Sequence, residues 1–274
     1  MSFLRLFKRA APGTPAAGYG RLYYDTTGLG TPAAPCLAFK DESGNIAMLG
    51  HLATLDYRLI SVRALIAGTS YVPTTGTRAI YVQAVAGGGA GGGAATSSTQ
   101  VSVGGGGGGG AFAASWLTGA AVKNPTTYAL GAGGTAGAAG ASGNNGGNTT
   151  WDTTVIVAAG GTGGAVMAAG STLAAQVGGA GGAAASCTGD LKITGGLGDK
   201  GIRLSTTQGW SGNGGSPAWG GQVGADGIVA VSGGAGVNAT ATAYGTGGSG
   251  GATTVTSSIG GTGAPGMIIV WEFA

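Results

Sequence analysis

A run of seven consecutive glycines occupies residues 104–110 of this 274-residue chain. Glycine loses more backbone entropy on folding than any other residue and brings no side chain to bury. A flexible linker would explain the run, but the neighbouring segments are rich in valine, tyrosine and tryptophan. A folded structure that contains this run must therefore be stabilised by contacts of the backbone itself.

The run is one of about ten glycine-rich blocks that follow one another between residues 87 and 266. The blocks lack the Gly-X-Y period of collagen, yet the polyproline-II geometry of collagen suits them. That helix has about three residues per turn, and its N–H and C=O groups point sideways, where they can bond to neighbouring segments. Side chains would hold such segments apart, whereas glycine lets them touch. The blocks therefore predict a bundle of packed polyglycine-II-like rods.

Two predicted antiparallel β-strands frame this bundle, one over residues 77–86 and one over residues 267–273. If every block crosses the domain once, ten blocks return the chain to its starting end, where the two strands can pair. The same alternation places five spacers at the opposite end of the bundle. These spacers comprise residues 96–103, 141–157, 184–194, 222–232 and 252–259.

The N-terminal part of the chain divides into three segments. Residues 1–18 are interpreted as an extended arm, residues 19–50 as short strands that include a hairpin over residues 36–49, and residues 51–68 as a short helix. The arm carries four apolar residues that suit docking into another protein, and these are Phe3, Leu4, Leu6 and Phe7.

Apolar residues at alternating spacings of four and three form a heptad seam along the predicted helix. One amphipathic helix packed on its own core would show the same pattern, but residues 19–50 offer little core. The spacing therefore favours self-association in a short coiled coil, and a mixed seam of Leu, Ile and Val suits three strands as well as two. Its seam comprises Met48, Leu52, Leu55, Leu59, Val62 and Ile66. The predicted fold is thus mainly β and irregular, with this helix followed by a glycine-rich domain over residues 69–274.

Charge and cysteine usage exclude several classes of protein. Charged residues make up 8% of the chain, and residues 87–274 hold four Lys/Arg and five Asp/Glu, so the glycine-rich part has no basic surface for nucleic acid. Cys36 and Cys187 are too isolated for a disulfide framework or a zinc site. We expect no cofactor and no metal. The N-terminus lacks the pattern of a secretory signal, which indicates synthesis in a cytoplasm.

Several segments resemble bacteriophage proteins. "YVPTTGTRAIYVQAVAGGGAGGG" at residues 71–93 and the terminal "GAPGMIIVWEFA" resemble the glycine-rich domain of phage tail-fibre and receptor-binding proteins, and "GRLYYDTTG" with "LAFKDESGNIAML" resembles the virion-proximal part of phage fibres. The resemblance implies a virion protein that forms a homotrimer and is held to a tail or baseplate protein by residues 1–18. It also implies a non-enzymatic adhesin for a bacterial surface glycan or outer-membrane protein.

Among the five distal spacers, "NNGGNTTWD" has the best chemistry for recognition, because it combines an aromatic ring, amides and a carboxylate. Trp151 could instead cap the apolar end of the bundle. A miscount by one block would exchange the two ends and favour Trp116, Tyr128 and Trp210. The candidate receptor-binding residues are Asn144, Asn145, Asn148, Trp151, Asp152, Asp190 and Lys192.

Two other functions stay open. A tailspike-like enzyme that cleaves surface glycan needs two carboxylates about 5–9.5 Å apart. The acids beyond residue 86 lie in separate spacers or in the last strand, and they are Asp152, Asp190, Asp199, Asp226 and Glu272. A glycine-rich cell-wall or ice-binding protein is the other possibility, although the threonines show no regular spacing.

Overall fold

The computed structural model describes residues 58–95, 99–218, 234–236, 238–239, 243–254 and 256–274, together with Ser43 and the backbone of four N-terminal strands. The chain divides into two compact units, one comprising Met1–Leu59 with Ala274 and the other comprising Ile60–Phe273. The predicted anchors Phe3, Leu4, Leu6 and Phe7 lie outside the described residues, as do Leu52 and Leu55.

The first unit contains one four-stranded sheet. Its strands are β1 (Lys8–Arg9), β2 (Arg21–Asp25), β3 (Cys36–Lys40) and β4 (Ile46–His51), in the order β1-β2-β3-β4. Strands β1 and β2 are parallel, and the other pairs are antiparallel. The hairpin predicted over residues 36–49 is confirmed by the pairing of β3 with β4.

The predicted coiled-coil helix over residues 51–68 is wrong. The described residues contain no α-helix, Met48 lies in β4, and Leu59–Leu65 is strand β5. Successive residues of a strand point to opposite faces, so Leu59 and Val62, which would share a seam on a helix, lie on opposite faces of β5. Ile66 follows the strand and is exposed. The branched residues Ile60 and Val62 suit a strand, and the seam that supported a trimer does not form.

The second unit contains thirteen further strands and two single turns of 3₁₀-helix among its described residues. The turns are Gly119–Ala121 and Ala184–Ser186. The strands are β6 (Ser70–Tyr71), β7 (Ala79–Val85), β8 (Ser102–Val103), β9 (Phe112–Thr118), β10 (Thr126–Ala129), β11 (Thr149–Trp151), β12 (Ile156–Ala158), β13 (Ala174–Gln176), β14 (Leu191–Ile193), β15 (Gly201–Arg203), β16 (Gly209–Trp210), β17 (Ala252–Thr253) and β18 (Met267–Phe273).

The largest sheet has five strands in the order β14-β9-β7-β18-β5. Strands β7 and β18 pair antiparallel over seven residues, from Ala79 opposite Phe273 to Val85 opposite Met267. The predicted pairing of the two framing strands is therefore confirmed. The inner face of this sheet and a second sheet, β12-β11-β10-β6, enclose the main hydrophobic core, which includes Tyr71, Ile80, Trp151, Ile156 and Ile268.

The glycine-rich segments between these strands are bonded to one another with a period of three residues. In segment 87–94, every third N–H donates to the same neighbouring segment. Gly87, Ala90 and Gly93 donate to Gly147, Asn144 and Ala141; Gly88, Gly91 and Ala94 donate to Ala264, Gly261 and Ser258; Gly89 and Gly92 donate to Gly108 and Gly105. Three directions that repeat every three residues define a helix with three residues per turn, which is the polyglycine-II geometry.

Ten such rods pack in three layers of three, four and three among the described residues. The two central rods, 87–94 and 104–111, each bond to six neighbours, as in a hexagonal array. On the outside of one layer, Gly236 and Ala239 donate to Ile259 and Thr262 of rod 258–266. The layers comprise rods 212–218, 245–251 and 258–266, then rods 131–138, 87–94, 104–111 and 195–199, then rods 141–148, 159–165 and 177–183.

The rods approach too closely for side chains in the interior of the bundle. A Cβ atom added at Gly107 would overlap the carbonyl group of Gly89, and one added at Gly108 would overlap that of Ala180. The seven-glycine run is therefore a central rod that is enclosed on every side by other backbone. Side chains are accommodated on the outer rods, where Thr135, Thr162 and Ala180 are exposed.

Candidate functional site

The directions of the rods decide which connecting segments share an end of the bundle. Rods 87–94 and 104–111 are antiparallel, whereas rods 131–138 and 159–165 run parallel to the first. The end that carries the five-stranded sheet is called the sheet end, and the opposite one the far end. The connections at the sheet end include residues 112–130, 149–158 and 184–194. Those at the far end comprise residues 95 and 99–103, 139–140, 166–176, 200–211, 252–254 and 256–257.

This arrangement differs from the predicted one because residues 141–148 are a rod and not part of a spacer. Asparagine side chains of this rod accept hydrogen bonds that the carbonyl groups of a further rod would otherwise accept. The amide oxygen of Asn145 accepts a hydrogen bond from Gly163 N–H at 2.9 Å, and that of Asn148 accepts one from Gly160 N–H at 3.0 Å. Asn144 donates to Thr135 Oγ1 at 2.7 Å. The predicted ends are therefore wrong for the connections between residues 149 and 211, whereas the connection that begins at residue 252 lies at the far end as predicted.

Trp151 lies in the core at the sheet end and has no exposed surface. Its ring lies 5.0 Å from the ring of Tyr71 and stacks on Tyr128 at 6.3 Å. The next residue, Asp152, has a positive φ of 47° and pairs with Lys123 at 2.5 Å. The predicted distal position of Trp151 is wrong, and the alternative, in which it caps the apolar end of the bundle, describes its place.

Asp190 and Lys192 also lie at the sheet end. The Asp190 carboxylate accepts a hydrogen bond from Trp116 N–H at 3.2 Å, and Lys192 belongs to edge strand β14. The structure therefore brings none of the seven candidate residues into a far-end connection. Trp116 and Tyr128 lie at the sheet end as well, whereas Trp210 lies at the far end. A role in receptor binding for the exposed residues of this set stays a prediction.

The far end is organised around Arg203, which is almost fully buried. Its Nε donates to Thr172 O at 2.7 Å, and its Nη1 donates to Ala168 O at 2.7 Å and to Val101 O at 3.2 Å. Gly170 lies close beside it, and a Cβ there would overlap the guanidinium group, so a larger residue at this position would displace Arg203. Arg203 thus fixes two loops by their carbonyl oxygens. Sequence reasoning missed it, although it is the only arginine beyond residue 86.

A small apolar cluster lies next to Arg203 and anchors the far-end connections to one another. Val101, Val103, Met167 and Ala252 are buried there, and Ala174 packs against them. Strands β8 and β17 pair across the cluster, and Ser102 Oγ donates to Met167 O at 2.6 Å. The far end is therefore a packed structure in its described part and not a set of independent loops.

The sheet β13-β15-β16 presents an apolar face to solvent at this end. Gly201, Arg203 and Gly209 are buried, so the alternate residues of these strands face outward. Ile202 pairs with Trp210 on one side and with Ala175 on the other. Leu204, Leu173 and Val177 continue the same face. Trp210 is 46% exposed and Leu173 is 72% exposed.

The far-end face is defined by these six apolar residues, and its chemistry suits binding. A tryptophan ring surrounded by aliphatic side chains can cover an apolar group or the flat side of a sugar ring. The described residues hold no group of three or more metal-ligating side chains, and none of their helices has the length and hydropathy needed to cross a membrane.

A cluster of polar and charged side chains lies in the interior at the sheet end. Glu272 is fully buried, and its Oε1 accepts from Tyr71 Oη at 2.5 Å and lies 3.6 Å from Arg63 Nη1. Burial raises the pKa of Glu272, but hydrogen bonds from Thr74 and Tyr71 and the charge of Arg63 outweigh this effect, so the pKa is lowered. Burial and the bond to Glu272 raise the pKa of Tyr71. The cluster joins β5, β6 and β18.

The comparison with protein families agrees with this architecture. A family model described as a glycine-rich domain matches residues 65–271. The chain belongs to this family. The match covers the rods, both ends of the bundle and the large sheet except for Leu59–Ala64 of β5 and the last two residues of β18. No curated protein matches the chain.

Proposed function

We propose that this member of the glycine-rich domain family is a bacteriophage tail-fibre adhesin. In this proposal, residues 1–18 attach the chain to a tail or baseplate protein of the virion. The glycine bundle carries the far-end face to the bacterium, where it binds an outer-membrane protein or a surface glycan. The observation that carries the proposal is the exposed apolar face around Trp210 on a rigid support.

The position of this face suits recognition better than the sides of the bundle do. Binding residues are commonly found on loops that a rigid scaffold positions, and the rods form such a scaffold because their backbone groups are bonded in three directions. Three strands hold the far-end face, and Arg203 holds the loops behind it. An exposed apolar patch that is held in place is typical of an interaction site.

Catalysis is not part of the proposal, because no described feature favours the tailspike alternative. Four carboxylates beyond residue 86 lie in the described residues, and each has its own partner. Asp152 pairs with Lys123, Asp190 accepts from Trp116 N–H, Asp199 accepts from Asn213, and Glu272 is buried beside Tyr71. Each of these carboxylates is thus engaged by a partner other than a second carboxylate, whereas a glycosidase uses two carboxylates about 5–9.5 Å apart.

The proposal is tested with the full chain, labelled fluorescently, on a panel of bacterial strains. For each strain that binds, Trp210→Ala should reduce binding at least about tenfold, which is the loss of about 1.4 kcal/mol. Leu197→Ala is the matched control, because Leu197 is exposed on the side of the bundle, and it should bind like the wild type.

Two results would count against the proposal. One is a panel in which the wild-type chain binds no strain. The other is a strain on which Trp210→Ala and Leu197→Ala bind equally well while both variants keep the wild-type melting temperature.

A further inference from the structure

The two ends of the bundle differ in how their charges are balanced. At the sheet end, charges of opposite sign pair, as Lys123 does with Asp152. The described far-end connections hold two charged residues, Lys200 and Arg203, and both are positive. The residue before them, Asp199, belongs to the adjoining rod and accepts a hydrogen bond from an asparagine of a neighbouring rod. The described far-end connections therefore carry a positive charge that no acid of their own balances.

Of these two charges, the one on Arg203 is buried, whereas Lys200 is exposed to solvent. Arg203 has 7% of its surface exposed, and it forms no ion pair with a carboxylate of the described residues. Its three hydrogen bonds go to carbonyl oxygens, which are dipoles and carry no net charge. A buried charge without an opposite charge is costly, so this position favours the approach of an anion.

The part of Arg203 that the protein does not use is its terminal nitrogen Nη2. Arginine has five N–H donors, and Nε and Nη1 donate three of them to carbonyl groups, so the other two belong to Nη2. Among the described residues, the fully buried side-chain nitrogen and oxygen atoms without a partner are Trp151 Nε1 and Glu272 Oε2. Nη2 is not one of them although it has no partner either, so its donors are open to a ligand.

The loop 168–172 lies around the guanidinium group and leaves this nitrogen uncovered. Ala168 O and Thr172 O hold the two ends of the loop to Arg203. Between them, a Cβ at Gly170 would lie 2.5 Å from Nη1 and 2.6 Å from Nη2, so the glycine leaves room at the end of the guanidinium group. Ser171 and Thr172 are exposed in the same loop and carry hydroxyl groups that can donate hydrogen bonds.

We propose that Arg203 Nη2 binds an oxyanion, the carboxylate or phosphate group of a sugar on the bacterial surface. Arginine N–H groups form charge-assisted hydrogen bonds with both oxyanions, and the interaction is stronger at a buried group because little solvent screens its charge. The oxyanion follows from the geometry of Arg203, whereas its attachment to a sugar rests on the proposed function.

The position of Arg203 separates this contact from the one that Trp210 offers. Strands β15 and β16 pair Ile202 with Trp210 and Arg203 with Gly209, so the two side chains lie on opposite faces of the sheet. Trp210 presents an apolar ring, and Arg203 presents a positive charge at the same end of the bundle. A neutral sugar engages the first contact alone, whereas an acidic sugar polymer offers groups for both.

The first test uses the full wild-type chain, isotopically labelled for nuclear magnetic resonance. Three matched probes are titrated: glucose, glucuronate with a carboxylate in place of the primary hydroxyl, and glucose with a phosphate on that hydroxyl. The backbone amide resonances of Gly170 and Thr172 should shift with an anionic probe and not with glucose. A shift with one anionic probe alone identifies the carboxylate or the phosphate as the group that is bound. Shifts confined to other regions, or equal shifts with glucose, overturn the proposal.

The second test measures the affinity of variants for the anionic probe by titration calorimetry. Arg203→Gln should weaken binding at least about tenfold, because it removes the charge, and Arg203→Lys, which keeps the charge, should weaken it less. Arg78→Gln is the matched control, since it removes the charge of an exposed arginine at the sheet end, and it should bind like the wild type. Wild-type affinity in a folded Arg203→Gln overturns the inference. Melting curves show which variants are folded, and if neither Arg203 variant is, the wild-type titration decides.

The results also separate this inference from the proposed function. If Trp210→Ala reduces binding to bacteria while neither anionic probe binds the chain, the adhesin proposal is retained and the anion site is wrong. If an anionic probe shifts the resonances beside Arg203 while the chain binds no bacterial strain, the anion site is retained and the adhesin proposal is wrong.

Discussion

The rods and the sheet end of the same domain are stabilised in opposite ways. At the sheet end, large side chains such as Trp151 and Ile156 are buried between two sheets, and apolar burial provides the stabilisation. In the rods there is almost no side chain to bury, and every interior N–H donates to a neighbouring carbonyl group. The comparison shows that backbone hydrogen bonds can organise an interior, provided that nothing larger than hydrogen projects into it.

The largest expected effect concerns the rods. Gly107→Val places a branched side chain against the carbonyl group of Gly89, and rigid backbone on all sides leaves no room for relaxation. We expect a loss of stability above about 5 kcal/mol, beyond the usual range for single substitutions, so that the cooperative melting transition disappears. Ala180→Val on an outer rod, where the side chain is exposed, should melt like the wild type. Equal melting of both variants would contradict the rod packing.

The second effect concerns the sheet end, where side-chain volume decides stability. Trp151→Ala should cost about 3 to 5 kcal/mol in the free energy of unfolding, because it leaves a cavity beside Tyr71 and Tyr128. Trp151→Phe should cost far less, since Trp151 Nε1 is buried without a hydrogen-bond partner and the smaller ring retains much of the packing. Urea unfolding measures both values. Similar costs for the two variants would show that packing is not what Trp151 contributes.

The smallest effect concerns the polar cluster inside the apolar sheet end. Glu272→Gln removes a buried charge that Tyr71, Thr74 and Arg63 stabilise, and it should cost about 1 to 3 kcal/mol at neutral pH. Because the pKa of Glu272 is lowered in the folded state, its contribution is present above the unfolded value of about 4.3. It is lost as the pH falls through the folded value.

Stability measured from pH 7 to pH 2 should therefore decrease more steeply below about pH 4.3 in the wild type than in Glu272→Gln. Parallel curves for the two proteins would mean that another group controls the acid transition.

Sequence reasoning reached the rods and the framing strands because both depend on local composition. Glycine blocks allow few other packed structures, and the alternation in Ala79–Val85 and Met267–Phe273 is typical of strands. Sequence reasoning failed where one pattern of apolar residues is compatible with two structures. The spacing from Leu59 to Ile66 suits a helix seam, but the neighbouring strand β18 offered a sheet edge, and that information is not local.

The candidate site was misplaced for a related reason. Asn144, Asn145 and Asn148 have the composition of a loop, yet their amides hydrogen-bond to the backbone of the adjacent rods. Counting this segment as a spacer exchanged the ends for the connections between residues 149 and 211. Arg203 could have been noticed in the sequence as the only arginine beyond residue 86. Its role could not be predicted, because its three carbonyl partners come from loops that only the folded chain brings together.

The pairing of β7 with β18 has a consequence for how the domain is made. Tyr71 and Glu272, which bond at the sheet end, are 201 residues apart in the sequence. A contact of such long range forms only after nearly the whole domain has left the ribosome, and folds dominated by distant contacts form slowly. Until Met267–Phe273 is synthesised, the aromatic core stays open on one side, and the nascent chain exposes apolar surface of the kind that promotes aggregation.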